Sequence, residues 1–214
     1  MSDPKQVLAR RQEMERQERR ERILNAARNV FFKKGYLGAT VRDIALEAEL
    51  SPGLIYHYYD NKDALYGAIC EEAFLLLLKT LQDAAKADGT VLERVNAVGR
   101  AYVDYYIQNP EYFDIISFRE LGFKKVGLPN DILNRLDDLS KRSLTVVKDL
   151  AVQGMDEGSI GPVEDPWEMT LAMWAGIEGV IFIHKRGYLE TLGLELDQLV
   201  ERELAIVAFG IRPR

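Results

Sequence analysis

Two helix-start signals lie close together near the beginning of the chain, and they constrain its fold more than any other feature. Thr40 is followed three residues later by Asp43, as in a capping box. Ser51 and Pro52 form the second start, with serine as N-cap and proline at the first helical position. The spacing predicts two short helices joined by a tight turn at residues 49–51, which is the arrangement of a helix-turn-helix.

Helical periodicity dominates the rest of the chain. Apolar residues recur at spacings of three and four over residues 20–34, and Gly35 ends that pattern. No alternating strand pattern is present, so the predicted fold class is all-α. The same periodicity, with glycine and proline as breaks, predicts later helices near 61–85, 90–108, 110–121, 130–156, 165–187 and 195–210.

Charge is distributed unevenly along an acidic chain. The formal net charge is −6, but residues 1–66 carry +2 and the remainder carries −8. Arginines alternate with glutamates before the first apolar helix. Two interpretations stay open for them: a solvated helix stabilised by Glu–Arg pairs, or an arm that contacts phosphates. The arginines are Arg10, Arg11, Arg16, Arg19, Arg20 and Arg22.

The composition argues against several classes of protein. The longest apolar stretch, residues 171–183, is shorter than a membrane span of about 20 residues and contains Glu178, so no membrane partner is expected. The charged start of the chain predicts no secretory signal. A single cysteine, Cys70, permits no internal disulfide and fits a reducing cytoplasm.

The sequence contains few of the residues and motifs that are common in catalytic sites. The chain has only two histidines, His57 and His184, far apart in sequence. It has no glycine-rich phosphate loop, no Cys/His metal spacing and no Ser–His–Asp order. We therefore expect neither an enzyme nor a metal or cofactor site.

The second short helix indicates contact with DNA. Ile55 and Tyr59 lie four residues apart and are predicted to pack inward together. The outward positions include a glycine that permits close approach, a leucine that suits a thymine methyl, and a histidine that can reach a base edge or a phosphate. Flanking tyrosine hydroxyls can bond phosphates without reading sequence. The outward and flanking residues are Gly53, Leu54, Tyr56, His57 and Tyr58.

The starts of two neighbouring helices offer further phosphate contacts. The amides at Thr40–Arg42 and the Arg42 guanidinium lie at the beginning of the first short helix, where anions bind. Lys62 opens the helix that follows the motif and is expected on the same side.

The stretch from residue 20 to 69 resembles the DNA-binding domain of the TetR/AcrR family of bacterial repressors. The family often has Phe where this chain has Tyr58 or Tyr59. The matching residues agree in order and spacing: Ile23-Leu24, Ala26-Ala27, Phe31, Gly35-Tyr36, Ala39-Thr40-Val41, Ile44-Ala45, Ala48, Leu50-Ser51-Pro52-Gly53, Ile55-Tyr56-His57-Tyr58-Tyr59, Asn61-Lys62 and Leu65. The resemblance implies phosphate contacts at Thr40, Arg42, Ser51, Tyr56, Tyr58 and Lys62, and base reading at Pro52, Gly53, Leu54 and His57.

The resemblance also implies an architecture and a function. Residues 1–66 would form a basic extension and a three-helix helix-turn-helix domain, and residues 67–214 a larger helical domain that binds an effector and dimerises. The implied function is a ligand-responsive dimeric regulator, a repressor, of palindromic operator DNA in the bacterial cytoplasm, associated with the nucleoid. The alternative is a helical interaction or adaptor protein that kept the motif without DNA binding, which the acidic body would suit. The presence of Thr40, Tyr56 and Lys62 favours retained DNA binding.

The last two long helices carry apolar faces, which in the family form a four-helix bundle with a symmetry mate. Packing within one chain is the alternative. The first face holds Trp167, Leu171, Trp174, Ile177, Ile181 and His184. The second holds Leu196, Leu199, Val200, Leu204, Val207 and Ile211.

An effector pocket is expected where aromatic side chains alternate with isolated polar groups. Glu178 is the strongest candidate, because a carboxylate in an apolar helix is unfavourable unless it is paired or used. It would bind a cation or donate to a polar ligand, or instead pair with an arginine or a backbone group at the dimer seam. The effector itself is unidentified and expected to be apolar or aromatic. The candidate residues are Tyr102, Tyr106, Phe113, Phe118, Trp174, Glu178 and His184.

Overall fold

A computed structural model describes residues 4–117 and 128–213, and within these ranges every regular element is an α-helix. This agrees with the all-α fold class. The helices, numbered in chain order, are α1 Pro4–Gly38, α2 Val41–Glu47, α3 Pro52–Tyr58, α4 Lys62–Ala84, α5 Val91–Gln108, α6 Pro110–Ser117, α7 Asn130–Asp156, α8 Pro166–Lys185, α9 Tyr188–Leu192 and α10 Leu196–Gly210.

Most helices agree with those predicted from the periodicity, and three helices differ from the prediction. Helix α1 begins at Pro4, well before the apolar pattern, and Gly35 interrupts it with a φ of +66°. Helix α9 is missing from the predicted set, because its five residues are too few to show a period. The glycines on either side of it, Gly187 and Gly193, adopt left-handed φ angles of 72° and 66°. The predicted helix at 110–121 is described only as far as Ser117.

The N-terminal unit comprises residues 4–72 together with 128–136. Its core is built from fully buried side chains of α1 to α4, including Ile23, Ile44, Ile55 and Leu65. The start of α7 belongs to this unit because Ile132 packs tightly on α4. A Cβ built on Gly67 would lie 2.6 Å from Ile132 Cγ2. The compact unit therefore extends past the predicted boundary at residue 66 and includes a segment from later in the chain.

The C-terminal unit comprises residues 73–117 and 137–213. Tyr105 is fully buried on α5, and its hydroxyl donates to the carbonyl of Ala73 at 2.9 Å. Helix α10 approaches α5 closely, since a Cβ on Gly99 would lie 2.6 Å from Leu204 Cδ2. The unit is thus a helical bundle held by large side chains and glycine contacts.

The apolar faces predicted on the last two long helices, α8 and α10, are partly buried within one chain. Ile177, Ile181, Val200 and Leu204 are buried within the C-terminal unit of one chain, so these four side chains pack internally. Other apolar side chains on α8 and α10 remain exposed. They are Leu171, Trp174, Phe182, Ile183, Ile206 and Phe209.

Candidate functional site

The start of α2 is a complete capping box, as the sequence predicted. Thr40 Oγ1 accepts from the Asp43 amide at 3.1 Å, and Asp43 Oδ2 accepts from the Thr40 amide at 3.1 Å. Lys34 pairs with Asp43 at 2.8 Å and, together with Thr40, lowers the pKa of that carboxyl. The Thr40 hydroxyl also donates to Asp43 at 2.8 Å. A phosphate contact from this hydroxyl would have to replace the bond to Asp43. Arg42 is exposed next to the cap.

The turn between α2 and α3 holds its shape with a residue in the left-handed region. Glu49 has a φ of +53°, which is uncommon outside glycine and asparagine. The Leu50 amide donates to the carbonyl of Ala45 at 2.9 Å, and the Glu49 carboxylate pairs with Arg22 at 3.0 Å. Because the turn contains neither glycine nor asparagine, no residue type there indicates this conformation.

Helix α3 presents the face that its sequence predicted. Ser51 Oγ accepts from the Leu54 amide at 3.3 Å, and Pro52 follows at the first helical position. Ile55 and Tyr59 are buried against the rest of the unit. The remaining side chains are exposed or half-buried, and Tyr56 is 53% exposed. Ser51, Pro52, Gly53, Tyr56 and His57 are exposed, and Leu54 and Tyr58 are half-buried.

Lys62 has an internal role that the sequence did not reveal. Its ammonium donates to the carbonyls of Tyr36 at 2.9 Å and Ala39 at 3.1 Å, and it lies 4.2 Å from the centre of the Tyr36 ring. The neighbouring Asp63 accepts from the Tyr36 hydroxyl, and burial and this carboxylate raise the pKa of Tyr36 to about 12. At most one N–H of Lys62 is left for a phosphate.

Lys62→Met is expected to lower the free energy of unfolding by about 1–3 kcal/mol, because two carbonyls lose a charged donor. Lys33→Met, at an exposed position on α1, is the matched control and should change stability by less than about 0.5 kcal/mol. Urea denaturation measures both. Equal stability of the two variants would contradict the anchoring role. Weaker DNA binding by a Lys62 variant therefore needs correction for folding.

The predicted effector residues come together in the C-terminal unit. The Tyr102 hydroxyl donates to Glu178 Oε2 at 2.7 Å and accepts from Trp174 Nε1 at 3.3 Å. The Tyr106 hydroxyl bonds His184 Nδ1 at 2.7 Å. Phe113 is fully buried between the two tyrosines, with ring centres 5.7 Å from Tyr102 and 5.0 Å from Tyr106.

These six side chains from α5, α6 and α8 form what we call the aromatic cluster. Tyr102, Tyr106 and Phe113 are buried, Glu178 and His184 are half-buried, and Trp174 is 38% exposed. Phe118, the seventh predicted residue, lies outside the described residues. Lys185 is absent from the predicted set, although its ammonium lies 5.6 Å from the Tyr106 ring centre and pairs with Asp114.

Glu178 is partnered by Tyr102, and no arginine in the described part of the chain pairs with it. Burial raises the pKa of Glu178 above its usual 4.5, and the Tyr102 hydrogen bond opposes part of that shift. A carboxyl whose pKa is raised by folding holds its proton more tightly in the folded chain. Its contribution to stability therefore falls as pH rises from about 4.5 through the folded pKa.

Glu178→Gln is expected to raise the melting temperature at pH 7.5 and to change it little at pH 4.5. The amide oxygen still accepts from Tyr102, while the unfavourable buried charge is gone. Glu168→Gln, exposed on the same helix, removes the same charge and serves as control. Thermal unfolding at both pH values measures the effect, and a lower melting temperature than wild type at pH 7.5 would refute it.

Membrane-spanning helices and metal clusters are both missing from residues 4–117 and 128–213. Within these ranges, no helix combines the length and the apolar character that crossing a membrane requires. Nor do they contain a group of three or more His, Cys, Asp or Glu side chains that could hold a metal ion.

The fold and the exposed α3 define a helix-turn-helix protein with a second, all-helical unit. Residues 23–69 match the sequence profile of bacterial regulatory proteins of the tetR family, and residues 95–207 match that of the tetracyclin repressor-like C-terminal domain. The second match alone covers more than half of the chain. This chain belongs to the TetR family, and the predicted resemblance is confirmed.

Individual relatives are distant. UidR, a helix-turn-helix transcriptional regulator of Escherichia coli K12, is 33% identical over 119 residues, covering 56% of this chain and 52% of that protein. The repressor NicS of Pseudomonas putida is 27% identical over 143 residues, covering 65% and 64%. The matched segment thus spans about half to two-thirds of the length of these relatives.

Solved structures share the fold at low sequence identity. A tetR-family regulatory protein from Rhodococcus RHA1 superposes with a TM-score of 0.72 at 22% identity, covering 92% of this chain and 98% of the other. FadR from Bacillus subtilis, in complex with stearoyl-CoA, gives 0.71 at 18% identity, covering 90% and 99%.

Proposed function

We propose that this protein is a ligand-responsive transcriptional repressor that binds operator DNA through α3. The observation that carries the proposal is the exposed face of that helix. It combines an open glycine, the exposed rings of Tyr56 and His57, and an inward face fully occupied by Ile55 and Tyr59. Arg42 and the N-terminal amides of α2 would contact phosphates beside it. Pro52, Gly53, Leu54 and His57 would meet base edges in the major groove.

Capture of genomic fragments tests this proposal even though the operator sequence is unknown. The full-length protein is mixed with sheared DNA from its source organism, and the bound fragments are sequenced and remeasured individually. We expect a shared sequence, with affinity that falls steeply as salt concentration rises. Tyr56→Phe removes only the hydroxyl and should weaken binding to all duplexes, whereas Leu46→Ala, exposed on α2, should not. Recovery of no common sequence and no duplex affinity would favour an adaptor role.

The proposed effector site is the aromatic cluster. Its apolar rings surround two tyrosine hydroxyls, a carboxyl and an imidazole, which suits an apolar or aromatic small molecule with a polar group. Ligand binding would favour one of two arrangements of the DNA-binding units, which requires different affinities for the two. Helix α4, whose residues belong to both units, would couple them. A ligand that releases the captured operator from wild type but not from a Tyr106→Ala variant would support this site.

The proposal includes a two-fold dimer on a palindromic operator, with half-sites about one helical turn apart. The exposed apolar side chains of α8 and α10, such as Phe182, Ile206 and Phe209, support it. Sedimentation of wild type should give twice the chain mass. Phe209→Glu should give a monomer and Leu46→Glu should not.

We also propose that the protein is not an enzyme and works in the bacterial cytoplasm on the chromosome. Cys70, the only thiol, is fully buried, and burial raises its pKa, so it is a poor nucleophile. His57 belongs to the N-terminal unit and His184 to the C-terminal unit, and His184 is bonded to Tyr106.

A further inference from the structure

The first half of α1 is a solvent-exposed helix that precedes the family match. Every side chain from residue 6 to residue 22 is exposed. Burial begins at Ile23 and recurs at Ala27 and Val30, which mark the side of α1 that faces the core of the N-terminal unit. The side chains of residues 6–22 therefore contribute nothing to that core.

The charges of this exposed segment are sorted by helix face. Because a helix turns about 100° per residue, Arg16, Arg19 and Arg20 lie within roughly 60° of the direction set by Ile23. They are the only charged residues of segment 6–22 in that sector, which we call the arginine face. All four glutamates lie outside it, Glu18 and Glu21 on the opposite side and Glu13 and Glu15 at its borders.

The ion pairs of the segment follow the same division between the arginine face and the rest of the helix. Away from the arginine face, Arg11 pairs with Glu15 at 3.1 Å and Arg22 pairs with Glu49 at 3.0 Å. Arg16 and Arg19 form no ion pair with any residue that the structure describes. Of the two interpretations left open by the sequence, stabilisation by Glu–Arg pairs is seen for Arg11 and Arg22, and the phosphate-contacting arm stays open for Arg16 and Arg19.

Arg20 places the arginine face beside the end of α3. Its Nε donates to the Tyr59 hydroxyl at 3.2 Å, and its guanidinium lies 5.3 Å from the Tyr59 ring centre. Tyr59 is the residue that immediately follows α3. On α1, Arg16 and Arg19 lie within about one helical turn of Arg20, toward the start of the chain. They are therefore near the C-terminal end of α3.

We propose that Arg16 and Arg19 bind the phosphate backbone that borders the groove entered by α3. The seven residues of α3 span about 10 Å, and the major groove is about 12 Å wide, so the bordering phosphates lie just beyond the helix ends. Two unpaired guanidiniums on a face without acidic residues complement these phosphates. This inference rests on the proposed function, because it requires α3 to enter DNA.

The test compares two double variants that remove the same net charge. Arg16→Gln with Arg19→Gln changes the arginine face, and Arg11→Gln with Arg22→Gln changes arginines that are already paired. The probe is a captured genomic duplex, titrated between about 0.05 and 0.3 M NaCl, ionic strengths chosen to bracket about 0.15 M. The first variant should reduce the slope of log affinity against log salt by about 1.8, and should weaken binding roughly 30-fold at about 0.15 M.

The control variant should keep a slope close to that of wild type. Equal reductions in both variants would show a general effect of charge and overturn the proposal, as would an unchanged slope in the Arg16 and Arg19 variant. Failure of the proposed function is distinguishable, because wild type itself would then bind duplex DNA without a steep salt dependence. Both variants change only exposed side chains, and their melting temperatures should match wild type within about 2 °C.

Discussion

Replacing Gly53 with leucine is expected to remove specific operator binding, with a loss of about a thousandfold in affinity. Gly53 is exposed in the first turn of α3, and a Cβ built on it meets no atom of the described residues within 4 Å. The larger side chain therefore has room in the free protein. In the proposed complex the same space is filled by DNA, so the helix could not dock. Specific complexes are commonly at least about 10³-fold tighter than non-specific ones, which sets the size of the loss.

The same substitution should leave the protein folded and slightly more stable. Leucine has a better helix propensity than glycine, so the free energy of unfolding should rise by about 0.5–1 kcal/mol. Fluorescence anisotropy with a captured operator measures affinity, and urea denaturation measures stability. A lower operator affinity together with a higher free energy of unfolding would locate the defect at the DNA-binding surface of the protein. Unchanged operator affinity in Gly53→Leu would show that this face does not meet DNA.

Truncating Phe113 to alanine is expected to destabilise the protein by about 3–5 kcal/mol. Its side chain is 0% exposed and packs edge-on against Tyr102 and Tyr106. Removing the ring leaves a cavity that the helices around it can close only partly. The two tyrosines also lose the contact that holds their hydroxyls toward Glu178 and His184.

Phe113→Leu provides the graded comparison, because it keeps most of the volume and should lose clearly less stability. Denaturant unfolding of both variants gives the two values. A loss below about 1 kcal/mol for the alanine variant would mean that Phe113 is not a structural centre of the aromatic cluster. At temperatures where the alanine variant stays folded, its non-specific DNA affinity should equal that of wild type, because α3 is unchanged.

Local signals made the helix-turn-helix predictable from sequence. The caps at Thr40 and Ser51 act on amides two or three residues away, so the residues that form them are close together in the sequence. The inward orientation of Ile55 and Tyr59 follows from their spacing alone. Neither feature depends on how the helices pack in the tertiary fold.

Contacts between distant segments were not predictable in the same way. Lys62 bonds carbonyls 23 and 26 residues earlier, and no pattern near Lys62 indicates those partners. In the aromatic cluster, residue types and helix positions indicated the members. The pairing of Tyr102 with Glu178, 76 residues apart, depends on how α5 and α8 pack. For the apolar faces of α8 and α10, periodicity marks a buried side without saying what covers it, so the sequence could not separate packing within one chain from packing against a second copy.

The burial of Cys70 has a practical consequence. The chain has no other thiol, and this one is inaccessible with a raised pKa, so thiol reagents should leave the native protein unmodified. A Gln17→Cys variant, exposed on α1, would then carry a spin label at one position per chain. Pulsed electron–electron double resonance between the labels of two chains would give a distance distribution for the DNA-binding units of the proposed dimer. Recording that distribution with and without a candidate effector would measure the proposed change of arrangement as a change in the distance between the two labels.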